Sequence, residues 1–144
     1  MDLALEEARR AEKAGEVPVG AILVTEAGAV VARGFNQPIS THDPTAHAEI
    51  VAMRAASRVI GNYRLTGLTL YCTMEPCVMC AGAMVHARIQ RLVYGAPDGR
   101  AGAAGSIYSV LNDSRLNHQV EVVTGVRGAD CRKLVQSFFE KRRG

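Results

Sequence analysis

The chain has 144 residues, 48% of them hydrophobic and 22% charged, and a formal net charge of +3. That length suits one domain, which buries about 70% of its unfolded surface and needs no disulfide staples. The composition is ordinary for a soluble globular protein, and the mild positive balance permits nucleic-acid binding without arguing for it.

No apolar run approaches the ~20 residues of a membrane span. The opening Met1-Asp2-Leu3-Ala4-Leu5-Glu6-Glu7 lacks the basic and apolar regions of a signal peptide. The expectation is a cytoplasmic protein with no membrane partner. Four cysteines, Cys72, Cys77, Cys80 and Cys131, could make two disulfides, but in a reducing compartment the close pair reads better as a metal pair. No repeat, low-complexity tract or linker interrupts residues 1–144, so one domain is expected.

In chain order, residues 2–14 place Leu3, Leu5, Ala8, Ala11 and Ala14 among charges, a helix ended by Gly15. Residues 19–24 and 29–34 read as strands joined by the turn Thr25-Glu26-Ala27-Gly28, a hairpin. A polar loop over 36–45 leads to a helix starting near Asp43-Pro44-Thr45 and running to about residue 59. Residues 68–73 form a strand, and Pro76 opens a helix to about residue 87. Residues 89–95 form another strand. A Gly-rich loop over 97–106 is followed by a short helical piece near 107–111, a last strand at 120–124, and a closing helix over 128–142. A hairpin followed by strands alternating with helices predicts an α/β fold, with a mixed sheet covered by helices on both faces.

Two segments carry chemistry, His47-Ala48-Glu49 and Pro76-Cys77-Val78-Met79-Cys80. Both open predicted helices. Cys77 and Cys80 are three apart and share a helical face, at an N-terminus where the macrodipole favours thiolates. Two thiolates with one imidazole make a zinc-type ligand set, and three protein ligands leave the open fourth position of a catalytic site. Two thiolates and a neutral His47 cancel the charge of Zn²⁺, so water at the open position can ionise with a pKa lowered toward ~7. Glu49, two residues from a ligand and about 100° per residue around the helix, falls beside the metal as a proton carrier and not upon it. Other readings of the pair are a redox couple, half of a structural zinc site, or a closed site with Cys72 as fourth ligand. Cys72 lies in a predicted strand and Cys131 in a predicted helix, where packed inert thiols are the common outcome. His-x-Glu combined with Pro-Cys-x-x-Cys is the signature of zinc deaminases, which act on a nucleobase.

On these motifs the chain resembles the cytidine-deaminase-like superfamily and, within it, the bacterial tRNA-specific adenosine deaminases. The resemblance covers nearly the whole chain. It runs through Glu16-Val17-Pro18-Val19-Gly20-Ala21, Asn36, Asp43-Pro44-Thr45-Ala46-His47-Ala48-Glu49, Asn62-Tyr63-Arg64-Leu65 and the segment from Leu70 to Met84. It continues in Gly102-Ala103-Ala104-Gly105-Ser106, Leu116-Asn117-His118, Phe138-Phe139 and Arg142-Arg143. It implies a three-layer α/β/α fold around a five-stranded mixed sheet, one Zn²⁺ per subunit and a homodimer. The implied reaction converts adenosine to inosine at the wobble position of a tRNA anticodon stem-loop. Asn36 is similar to the family's base-contacting Asn, the Ala48 backbone lies where the family meets the base, and Asp98 matches a substrate-loop Asp. Glu49 is implied to carry a proton from water to the purine N1 and then to the departing amine. An unpaired anticodon nucleotide enters a closed pocket at the least cost.

Lys141-Arg142-Arg143 can grip phosphate, or can simply complement a helix dipole. Arg54, Arg58 and Arg64 are a basic stripe or solvated helix residues. Phe138 is read as core, and Phe139 as either core or a base-stacking platform. His42 belongs to the loop before the ligand helix, and His86 and His118 are read as structural.

Overall fold

The computed structural model describes residues 1–143. Its elements are α1 (Asp2–Lys13), β1 (Gly20–Val24), β2 (Val30–Phe35), α2 (Pro38–Thr41), α3 (Ala48–Ile60), β3 (Thr69–Met74), α4 (Val78–His86), β4 (Arg91–Ala96), β5 (Glu121–Val123) and α5 (Gly128–Arg143). The five strands form one sheet in the order β2-β1-β3-β4-β5. β1 is antiparallel to both β2 and β3, while β3, β4 and β5 run parallel. The mixed sheet expected from the hairpin is therefore present, with α4 as the crossover between two parallel strands.

Two glycines show how the layers stack. Directly opposed residues in a strand pair share a face, and adjacent residues alternate. Gly20 pairs with Phe35, so Gly20 and Gly34 sit on opposite faces. A Cβ on Gly20 would lie 2.5 Å from the Ala8 nitrogen of α1, and one on Gly34 would lie 2.6 Å from both the Ala48 oxygen and the Ala52 nitrogen of α3. Thus α1 lies against one face and α3 against the other, each with its backbone in near contact with the sheet. The α3 face carries the larger core, in which Leu23, Leu70 and Leu92 pack with Met53 and Met84. On the α1 face a smaller cluster joins Leu5, Ala96 and Cys131, with Leu134 of α5 beside them.

Three local expectations change. The helix expected from 43–45 begins at Ala48. Asp43 Oδ1 instead accepts the Thr45 N–H at 2.9 Å and the Thr45 hydroxyl at 2.7 Å, closing an Asx turn that competes with helix. His47 stays extended, with ψ 154°. The segment read as loop contains α2, because the Glu16 carboxylate accepts the Ile39 and Ser40 N–H groups at 3.2 and 2.7 Å. The helical piece expected at 107–111 is instead a bridge between Ala104 and Ser109. There the Gly105 N–H donates to the Tyr108 carbonyl at 2.8 Å, and Gly105 has φ 131°, a conformation that suits glycine and stops a helix.

Candidate active site

His47 is the N-cap of α3 and Cys77 the N-cap of α4, both with extended backbone. Cys80 stands on the first turn of α4 and Glu49 on the first turn of α3. The two helix N-termini converge beyond the C-terminal end of β3, the end of a parallel strand where α/β sheets place their sites. His47 Nδ1 lies 3.5 Å from Cys77 Sγ and 3.5 Å from Cys80 Sγ. All three donor atoms lie within 4.8 Å of one another, and among the described residues they form the one such group of His, Cys, Asp and Glu.

The arrangement fits Zn²⁺. A tetrahedral ion with Zn–S near 2.3 Å and Zn–N near 2.0–2.1 Å holds its sulfur and nitrogen donors about 3.5 Å apart. Two helix N-termini supply positive potential to both sulfurs. The neighbouring Cys80 thiol, with the help of His47, pushes the Cys77 thiol down to about 3, while the Cys77 sulfur and burial raise Cys80. The Cys77 sulfur in turn holds the His47 imidazole above its ordinary value. Cys72 is fully buried in β3 and stands outside the triad. Burial pushes its thiol well up, as it also raises Cys131. Both therefore have the character of packed, protonated thiols, and neither joins the three donors of the triad.

Glu49 is 4% exposed. Burial pushes its carboxyl up, against the pull of its own backbone N–H and the His47 charge. It lines a cavity of about 980 Å³ together with His47, Cys77 and Asn36, a volume at the upper end of small-molecule sites.

The other sequence-predicted residues divide. Asn36 follows β2 directly, is anchored by its N–H to the Val19 carbonyl at 3.0 Å, and lines the cavity. Asp98 also lines it, with Oδ1 accepting the Arg100 and Ala101 N–H groups at 2.9 and 3.2 Å. Phe139 is 42% exposed and borders the cavity with Arg143. Phe138 is buried as expected and meets Phe139 edge to face at 5.4 Å. Ala48 is buried in the first turn of α3 and does not border the cavity, though its N–H is one of the helix donors without an intrahelical partner. Arg142 points elsewhere. Its guanidinium donates to the Gly15 carbonyl at 2.8 Å and lies 4.4 Å from the centre of the Phe138 ring. The basic stripe dissolves in part, since Arg54 pairs with Asp43 and Arg64 bonds to Tyr63. His118 Nε2 meets the Ile89 carbonyl at 2.7 Å, a structural role. His42 is an exposed C-cap of α2 outside the cavity.

Sequence reasoning missed Glu75, Arg100, Gln136 and Glu140, all of which border the cavity. Glu75 adjoins the metal motif, which was a usable signal. Gln136 and Glu140 reach the site only because α5 folds back over it.

The family model for the cytidine and deoxycytidylate deaminase zinc-binding region matches residues 1–96, so fold and metal site together define a zinc-dependent deaminase of that class. The tRNA-specific adenosine deaminase of Haemophilus influenzae is 50% identical over 99% of this chain and 83% of its own length. That of Bacillus subtilis is 43% identical over 99% and 88%. A solved structure from work on A-to-I editing by tRNA:A34 deaminases at the wobble position is 43% identical. It superposes with a TM-score of 0.89 over 93% of this chain and 96% of that one. This chain belongs to the tRNA-specific adenosine deaminase family.

Proposed function

We propose that this protein deaminates adenosine to inosine at the wobble position of a tRNA anticodon, consuming water and releasing ammonia. The observation that carries the reading is the His47, Cys77 and Cys80 triad beside buried Glu49 in one cavity. His47, Cys77 and Cys80 hold Zn²⁺, which when bound supplies the Lewis acidity that lets water ionise near neutral pH. Glu49 accepts the proton released by that water and delivers it to the purine N1. Once C6 is tetrahedral, Glu49 takes the proton of the new C6 hydroxyl and passes it to the amine, which departs as ammonia and leaves the C6 carbonyl of inosine. The raised carboxyl suits both halves of that exchange.

Asn36 orients the purine through an amide that both donates and accepts. Phe139 offers a ring face at the cavity border. Asp98 shapes the loop against the target nucleotide, and Arg143 meets backbone phosphate. Arg142 serves the same surface from behind, steadying the end of α5 that carries Phe139 and Arg143.

Residues 1–144 act as one deaminase domain, in the cytoplasm where tRNA is modified. No described helix is long and apolar enough to cross a membrane. A homodimer is supported by exposed apolar residues around the start of α4 and the end of α3: Val78, Ile107 and Tyr108, and Val59, Ile60 and Tyr63. Light scattering at micromolar concentration should give twice the chain mass, and a monomer there would overturn this assembly.

The decisive experiment incubates zinc-analysed protein with an anticodon stem-loop carrying wobble adenosine, and separately with adenosine, guanine and cytosine. Inosine in the stem-loop alone is the expected result. Turnover of a free base with an untouched stem-loop would overturn the tRNA reading and leave the zinc chemistry in place.

A further inference from the structure

We propose that Glu75 is a positioning residue that fixes the substrate-facing loop over residues 97–106 to the metal-binding segment. The proposal concerns the cavity wall of the site described above and rests on that site being the one that takes substrate.

Glu75 is 4% exposed and stands two residues before Cys77. Its Oε1 accepts the Asp98 N–H at 3.0 Å and the Ser106 hydroxyl. Its Oε2 accepts the Ala104 and Ser106 N–H groups at 2.9 and 3.1 Å. A carboxylate offers about four acceptor positions, and all four partners here belong to one loop. The Glu75 N–H donates to the Ala96 carbonyl at 2.9 Å, and the Ala103 N–H to the Pro76 carbonyl at 2.8 Å. The loop is therefore tied at both ends to the residues that lead into Cys77.

Between those anchors the chain turns tightly enough to border the cavity with Asp98, Gly99, Arg100 and Ala101. The Asp98 carbonyl accepts the Gly102 N–H at 2.9 Å, and a Cβ on Gly102 would run into the Glu75 carboxyl and lie 2.5 Å from the Asp98 oxygen. Glycine at 102 lets the loop close onto the carboxylate. Glu75 itself makes no step of the reaction. Its partners are backbone and Ser106, so its effect on substrate passes through where Asp98 and Arg100 stand.

The test compares wild type, Glu75→Gln, Ser106→Ala and Gly102→Ala. An amide at 75 keeps the shape but turns an NH₂ group toward N–H donors. Amide hydrogen exchange should quicken about tenfold at Asp98, Ala104 and Ser106 in the Gln variant, with α4 unaffected. Zinc per chain should stay at the wild-type value, and KM for the stem-loop should rise about tenfold while kcat falls less. Ser106→Ala keeps the backbone N–H bond to Glu75 and loses only the hydroxyl, so it should give a smaller effect, one that vanishes when it is combined with Glu75→Gln, because the two residues share one interaction. Gly102→Ala should reproduce the Gln phenotype with Glu75 untouched. Unchanged exchange in the loop would overturn the proposal. So would zinc loss in proportion to activity, or a KM unmoved while the loop exchanges freely. If wild type fails on the stem-loop, the tRNA reading falls, and the exchange comparison with whichever nucleoside is turned over still decides the assignment of Glu75.

Discussion

Glu49 combines burial with closeness to His47, so removing its charge tests chemistry more than packing. Glu49→Gln should bind zinc as wild type does and lose about 10²–10⁴-fold in kcat, the usual worth of a positioned acid–base group. Inosine formation in single turnover, with zinc measured on the same sample, checks this. The two terminal arginines should separate as cleanly. Arg142 is tied to Gly15 and Phe138, so Arg142→Ala should lower stability by about 1–2 kcal/mol. Arg143→Ala should leave Tm unchanged, weaken stem-loop binding and flatten its dependence on log salt by about one unit, as one lost phosphate contact does. Thermal melts beside a salt titration distinguish the two.

At the level of elements, the site is made by two helix starts meeting at the end of a strand. Anything that lifts α3 from the sheet moves His47 and Glu49 together. Gly34→Ala is the sharpest such change, since the new Cβ would meet Ala48 and Ala52 backbone atoms at 2.6 Å and backbone cannot rotate aside. The expected outcome is destabilisation of about 1–3 kcal/mol with zinc affinity falling alongside, read by denaturant melts and by competition with a chromogenic chelator. A variant that lost stability but bound zinc at full strength would mean that α3 can shift without moving its N-terminus.

Across the whole molecule, buried Glu16 connects distant parts. It sits between α1 and β1, holds the start of α2 and feels the charge of Arg142 from α5. Burial opposes its ionisation, but the Ser40 N–H and hydroxyl, the Ile39 N–H and Arg142 outweigh that and hold the carboxyl below its ordinary value of 4.5. A group lowered on folding contributes stability that is complete above the unfolded value and is lost as pH falls through the folded one. Glu16→Gln should therefore be less stable than wild type at pH 7, and the gap should close as pH drops below about 4.5. Melts from pH 3 to 7 would show this, and a gap constant with pH would mean that the charge of Glu16 contributes nothing to folding.

The grouping of His47, Cys77 and Cys80, the place of Glu49 beside them and the α/β class were legible in the chain because they are local. A His-x-Glu and a Pro-Cys-x-x-Cys at helix starts constrain chemistry through spacing alone, and a hairpin followed by alternating strands and helices constrains the sheet through periodicity. Element boundaries followed the same logic until a side chain intervened. The Asx turn of Asp43 delayed α3, and the carboxylate of Glu16, far away in sequence, created α2 where only a polar loop was expected. What tertiary structure decided was every role that depends on a partner distant along the chain. Phe138 and Phe139 are neighbours with the same residue type, yet one is core and one borders the cavity, because α5 lies against the sheet at a single rotation. Arg142 and Arg143 part for the same reason. Glu75 merely adjoins the zinc motif in sequence, and only the return of residues 98–106 onto its carboxylate makes it the anchor of a wall. Sequence spacing specifies what residues on one turn can do together. Hydrogen bonds between segments dozens of residues apart exist only after the chain has folded.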